Sequence, residues 1–498
     1  RLDASGPVPT RAWHAIPRKA SLTGGPKSIG HDLSHLGDEP ELWWIGEKGF
    51  LPDRDPVGVD ALHGTDFEAF ADFVDELPGL GVTGIFKRRL DADPALQERL
   101  CCCGRPEAVQ TLSQEQLERA FSVVGYTVLA YWRGGPLMHK ISGAGGAGTQ
   151  SKGGESEQIM QLPDFLSAPM LALSERLKRP PMVDYAATVL YNWVRIDPDG
   201  PISPNNIRCV LRLTGLIDEE WFFKTHVVIE AEAAQAVSAV IGAMQAVEDS
   251  ELLGHLLSLE EALWRVVRAC LPLMYERTED GTPMLSEHIF YQILRPLIKS
   301  GKLLFEGSTE AMELIGPSGA MSSLLPCVDA ALGINTSSEK LRKAYAQFEL
   351  SMPLAHRRFL ADLRGRMNLR KRLLATRPPV AGSQEQHATL VRAFNRCISR
   401  VLDFRWQHWQ FVKHFIMRPG NVSYALGSGG TSFDFLQQHI TDTEKARLVE
   451  RNDTLSHMST PPDWPPLRQP TIAVLPNQDF WNVDGRNGLL PRDPIARL

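Results

Sequence analysis

Two histidines of this chain lie inside aromatic, apolar stretches more than a hundred residues apart. His408 sits in Phe404-Arg405-Trp406-Gln407-His408-Trp409-Gln410-Phe411-Val412, and His226 in Trp221-Phe222-Phe223-Lys224-Thr225-His226-Val227-Val228. An imidazole among hydrocarbon is costly unless a partner uses its nitrogens. A neutral imidazole can ligate a metal, accept a hydrogen bond or move a proton. Two of them on opposite sides of one pocket would serve an iron on one side and a substrate on the other.

Cys397, Val401, Phe404, His408, Phe411, Val412 and Phe415 recur at spacings of three and four, so His408 falls on the apolar stripe of a helix. Periodicity alone favours a packed core histidine over a ligand. Arg405 projects near the same face, where a guanidinium suits either a cofactor carboxylate or a surface ion pair. Phe222 and His226 are four apart and share a helix face. Arg295, within Phe290-Tyr291-Gln292-Ile293-Leu294-Arg295-Pro296, is embedded in apolar sequence and wants a carboxylate, internal or on a substrate. Phe290 lies about 140° round an α-helix from Arg295, so both reach one pocket only if it is wide or the helix is bent. Two glycine-rich loops, at 316–323 and 427–431, lack the Lys of a phosphate loop. Their small residues let backbone approach a flat cofactor or a ligand.

Helices must position these groups. Ser113 and Gln116 make a capping box for a helix over 113–132. A long helix is predicted over 218–247. Ser258 and Glu261 predict the start of another over 259–277, kinked at Pro272. A third is predicted over 286–300. Ser383 and Gln386 predict the start of a fourth that Pro419-Gly420 ends. Residues 1–60 read as an irregular wrapping segment, 142–157 as a flexible Gly/Ser loop, and 451–498 as a proline-rich tail. The loop holds a formal GxGxxG at Gly143, Gly145 and Gly148, but no β-run precedes it, so a dinucleotide cradle is disfavoured.

The 498 residues are 43% hydrophobic and 22% charged with net charge −6, which is ordinary for a globular protein. No basic face dominates, which argues against nucleic acid as the main partner. No apolar run approaches the ~18 residues of a membrane span, so no membrane association is expected. Of seven cysteines, Cys209, Cys270, Cys327 and Cys397 read as buried single thiols, and Cys101-Cys102-Cys103 as surface thiols rather than a metal site. A reducing cytoplasm is the simplest setting.

The order of several pieces resembles the indoleamine 2,3-dioxygenase family. They are Tyr185-Ala186…Asn192-Trp193, Phe222-Phe223, Phe290 through Arg295, Phe305-Glu306-Gly307, Ser318 through Asp329, Met352-Pro353…His356-Arg357, His408 and Gly427-Ser428-Gly429-Gly430-Thr431. The likeness covers about residues 40–450. It implies a mainly α protein, with a smaller mixed domain over 1–212 and a large helical heme-binding domain over 213–450. It implies heme b, with His408 as the proximal iron ligand, Asp329 as the acid that hydrogen-bonds it, and Arg405 as the heme-propionate arginine. Ser318 and Gly319 match the loop over the heme. Tyr185, Phe222 and Phe290 match aromatic walls, Arg295 the substrate-carboxylate arginine, and Ser428 and Gly429 a closing loop.

The implied reaction is insertion of O2 across the indole C2–C3 bond of tryptophan or a relative, as in tryptophan catabolism. The family's animal enzymes carry Ser at the position of His226, and their closing loop reads Gly-Thr-Gly-Gly-Thr. A distal histidine occurs in the related tryptophan 2,3-dioxygenases and supports either indole N–H recognition or peroxide-linked oxidation. Two alternatives stay open: a divergent monooxygenase, peroxygenase or ring-rearranging enzyme on a modified amino acid, and a heme-binding sensor.

Overall fold

The computed structural model describes residues 45–141, 159–366, 368–375, 381–421 and 434–448. Most of the 1–60 segment, the 142–157 loop, the 451–498 tail and the pair Ser428 and Gly429 lie outside them. Helices dominate. A series of short helices precedes α1 (Gln114–Ile141), which begins where the capping box predicts. The Gln116 N–H donates to Ser113 Oγ at 3.3 Å, and the Ser113 N–H donates to Gln116 Oε1 at 3.0 Å.

α1 carries two buried charges, Glu118 and Arg119. The Arg119 guanidinium donates to the Val57 and Tyr191 carbonyls at 2.9 and 2.7 Å. Glu118 pairs with buried Arg179, which also faces Asp184 at 3.4 Å. Asp184 in turn accepts the Ala187 N–H at 2.8 Å, so this polar knot fixes the backbone on either side of Tyr185.

Two small sheets accompany the helices. β1 (Met160–Leu162) pairs in parallel with β4 (Gly301–Phe305), and β4 pairs antiparallel with β5 (Met312–Leu314). β2 (Trp193–Arg195) and β3 (Ile207–Cys209) form a separate antiparallel pair. The β1–β4 ladder crosses the division expected between residues 212 and 213. A single hydrophobic core also runs from Phe50 to Leu448 without a break there. The described residues form one compact unit.

α2 (Ile217–Gln245) is the helix predicted over 218–247. Its mean hydropathy reaches 1.5, so it is long and apolar enough to cross a membrane by composition, contrary to the sequence expectation. Over half of that window, 56%, is buried in the core, against α3 (Asp249–Arg265) and α4 (Leu324–Leu332). α3 starts ten residues before the predicted site. Ser258 is no cap: its hydroxyl donates back to the Gly254 carbonyl at 2.9 Å from mid-helix. Acidic Asp249 and Glu251 instead occupy the first turn. Beyond Arg265 the winding changes to a π-turn, Val266–Cys270, and then a 3-10 turn, Leu271–Tyr275, that contains Pro272.

α5 (Ala381–Val412) begins before Ser383, which therefore lies in its first turn and not at its cap. It continues through a π-turn, Lys413–Met417, to Arg418–Gly420. α6 (Asp434–Glu444) packs back on α5. The four single cysteines are buried as expected; Cys103 is buried too, while Cys101 and Cys102 are half-buried.

Candidate functional site

One pocket gathers side chains from five places in the chain. Tyr185, Thr188 and Val189 come from the π-turn Ala186–Leu190 and its preceding residue. Phe222, Phe223 and His226 come from α2, Phe290 and Arg295 from the turn after Ser286, and Ser318 and Gly319 from the loop before α4; Ile416 completes the wall. Seven of the expected site residues line this one pocket: Tyr185, Phe222, His226, Phe290, Arg295, and Ser318 and Gly319 of the expected heme loop.

Phe290 and Arg295 share the pocket for a local reason. Residues Phe290–Leu294 form a π-turn in which the Arg295 N–H bonds to the Phe290 carbonyl. An i→i+5 bond sets residue 295 nearly above residue 290, and the angular gap of an α-helix closes. The Arg295 guanidinium is half-buried and stands 5.6 Å from the Tyr291 ring centroid. Burial pushes its pKa below the usual guanidinium range, so an anion reaching it would meet a poorly hydrated charge.

His226 has a defined tautomer. Its Nδ1 is 2.8 Å from the Phe222 carbonyl, and a carbonyl can only accept. Nδ1 therefore carries the hydrogen, and Nε2 presents a lone pair. Desolvation lowers the pKa and keeps the ring neutral. Nε2 faces Gly319, where an added Cβ would lie 3.8 Å away. The ring is flanked by Phe222 at 4.7 Å and by Tyr185, edge-on, at 6.1 Å between centroids. Phe222 also touches Phe290 at 5.1 Å, which closes an aromatic wall.

His408 lies outside this lining, on the inward side of α5. Trp406, Gln410 and Lys413 are exposed and mark the helix's solvent face. His408 is about 200° round from Trp406, yet its own surface is also open, so the imidazole looks onto space inside the molecule. Desolvation pushes its pKa down to about 4, and repulsion from His226 adds to the shift. A neutral His408 keeps its ligand lone pair.

Asp329 is not arranged as the resemblance implies. Both Asp329 oxygens accept from Arg405 Nη2, at 2.8 and 2.6 Å, and no hydrogen bond joins Asp329 to His408. Arg405 also donates to Thr443 and, at 3.0 Å, to His439 Nε2, both on α6. A buried carboxylate takes the permanently charged guanidinium before a weakly basic neutral imidazole. Arg405 is buried, which also removes the surface ion-pair reading.

Sequence reasoning missed Thr188, Val189 and Ile416 in the wall, because loops and altered turns bring them in. It also missed Glu230, whose signal was present: a carboxylate four residues after His226 in an otherwise apolar stretch.

A family profile described as Indoleamine 2,3-dioxygenase matches residues 42–454. The chain belongs to the indoleamine 2,3-dioxygenase family. It is 28% identical over 323 residues to "Indoleamine 2,3-dioxygenase 1" of Mus musculus, covering 59% of this chain and 75% of that one. It is 24% identical over 427 residues to "Indoleamine 2,3-dioxygenase qulI" of Penicillium citrinum, covering 82% and 86%. It is also 26% identical over 313 residues to a protein named "Myoglobin" from Haliotis madaka, covering 59% and 76%. The mainly α architecture is the one expected for the family.

Proposed function

We propose that this family member is a heme-dependent dioxygenase that cleaves the indole C2–C3 bond of tryptophan or a close relative to an N-formylkynurenine-type product. The observation that carries the reading is the pairing, in one aromatic pocket, of the His226 Nε2 acceptor with the Arg295 cation. An indole amino acid offers a ring N–H at one end and a carboxylate at the other, which matches both groups.

The chain's residues fit a heme. His408 is neutral and open on the inward side of its helix, Gly319 leaves room beside His226, and Asp329 with Arg405 flanks the His408 side. We assign His408 as the ligand, Ser318 and Gly319 as loop contacts, and Arg405 as the cation toward the cofactor's carboxylates. A bound heme b would supply the oxygen chemistry. Arg295 holds the substrate carboxylate, the Phe222 and Phe290 rings form the wall against which the indole packs out of water, and His226 Nε2 accepts the ring N–H. Ser428 and Gly429 complete the proposal as the closing loop.

Heme-loaded protein turning over L-tryptophan under ¹⁸O2 should yield product with both atoms labelled by mass spectrometry. A single labelled atom would assign the divergent monooxygenase reading instead. Reversible O2 binding without product would assign an oxygen-carrying or sensing role, a reading that the Myoglobin-named relative supports.

His226→Ser should lower turnover about ten- to a hundredfold, roughly 1–3 kcal/mol of barrier, with the product unchanged. 1-Methyltryptophan lacks the N–H, so it should be poor for the parent and comparable with tryptophan for the variant. A parent that works with H2O2 in place of O2, and a variant that selectively loses that activity, would move His226 to acid–base work on peroxide.

A further inference from the structure

Glu230 is a buried polar group beside the pocket that this mechanism leaves unused. It lies one turn after His226 on α2 and is 2% exposed. Its Oε1 accepts two hydroxyls, from Tyr185 at 2.9 Å and from Ser322 at 2.6 Å. Its Oε2 is buried without a hydrogen-bond partner among the described residues. Burial raises its pKa, and only those two hydroxyl bonds oppose the shift.

The two hydroxyls belong to different walls. Tyr185 opens the π-turn Ala186–Leu190, and its ring stands at 75° to the His226 imidazole. Ser322 closes the 3-10 turn Gly319–Met321, which carries Gly319 past His226 Nε2. The Ser322 hydroxyl also receives the Leu324 N–H at 3.2 Å, and neighbouring Ser323 is tied to His356 Nδ1 at 3.1 Å. One carboxyl oxygen thus joins the helix bearing His226, the wall bearing Tyr185 and the loop bearing Gly319.

We propose that Glu230 is a positioning residue of the pocket, holding the Tyr185 ring against His226 and the Ser318–Ser322 loop over it. The kinetic arm of the test rests on the tryptophan reading; the structural arm does not. A buried carboxyl with no cation beside it is costly as an anion, so the useful form is the neutral acid. Glutamine mimics that form: it keeps a carbonyl oxygen for both hydroxyls and the same shape. Leucine keeps most of the volume and removes the acceptor.

The experiment compares Glu230→Gln, Glu230→Leu, Tyr185→Phe and the Glu230→Leu/Tyr185→Phe pair in the full chain, purified with its cofactor. Hydrogen–deuterium exchange needs no substrate. Glu230→Leu should speed exchange across residues 185–191 and 318–324 by about tenfold or more, and Glu230→Gln far less. With L-tryptophan, KM should rise about five- to tenfold in Glu230→Leu with a smaller change in kcat, and Glu230→Gln should recover most of it. The double variant should be no worse than Glu230→Leu, because both substitutions remove the same bond.

Glutamine as damaging as leucine would overturn the proposal and assign the acid's own proton a role. Unchanged exchange in Glu230→Leu would overturn it as well. If that variant does not fold, Tyr185→Phe and Ser322→Ala each remove one hydroxyl and should loosen 185–191 and 318–324 respectively; no change in either sinks the idea. A parent inert toward tryptophan would refute the functional reading alone, and the exchange comparison would still decide on Glu230.

Discussion

His408→Ala should purify almost without heme, its Soret absorbance at equal protein falling to a small fraction of the parent's. The imidazole is neutral, with a pKa near 4, and opens inward on α5, so its lone pair is the protein group available to an iron there. Even changes to the groups that hydrogen-bond a ligand cost metal sites roughly 10–100-fold in affinity, and loss of the ligand itself should cost more. Pyridine hemochromogen quantitation beside His226→Ala separates the two histidines. His226→Ala should keep its heme, because Nδ1 is committed to the Phe222 carbonyl and the ring serves the substrate side. A His408→Ala protein with full heme and an unchanged spectrum would remove the assignment.

Arg295→Leu should lower kcat/KM for L-tryptophan by about 2–5 kcal/mol, the usual cost of truncating one partner of a desolvated charge pair. That is on the order of thirty- to several-thousand-fold. The guanidinium lines an aromatic wall in which burial has already weakened its hydration, so a carboxylate there interacts through little intervening solvent. Arg295→Lys should recover only part of the loss, since an ammonium lacks the planar fork. Tryptamine, which has no carboxylate, is the control. Its turnover should change little between parent and Arg295→Leu, and an equal loss for both substrates would contradict a carboxylate role.

His226 and His408 were legible because imidazoles are rare in strongly apolar helical stretches and need a use. The helix over 218–247 was legible because its apolar run is continuous, and the start of α1 because Ser113 and Gln116 satisfy each other's backbone donors locally. Ser258 and Ser383 misled for the complementary reason: the same serine that caps a helix also bonds back to a carbonyl within one or sits in its first turn. Only the competition among neighbouring turns decides which.

By itself the sequence determined the helical class, the apolar stripes and the identity of the residues able to do chemistry, because side-chain type and periodicity are local properties. Tertiary structure decided how those residues meet. Spacing at 3.6 residues per turn separates Phe290 from Arg295, whereas the π-turn at Phe290–Leu294 unites them. Asp329 on α4 takes Arg405 of α5 rather than His408, because the approach of α4 to α5 brings the stronger partner within reach, and His439 of α6 joins the same guanidinium. Glu230 acquires a role only where Tyr185 and Ser322, far apart in sequence, converge on one oxygen. Helix winding and the choice of hydrogen-bond partner depend on which elements pack together, and no local pattern of residues carries that information.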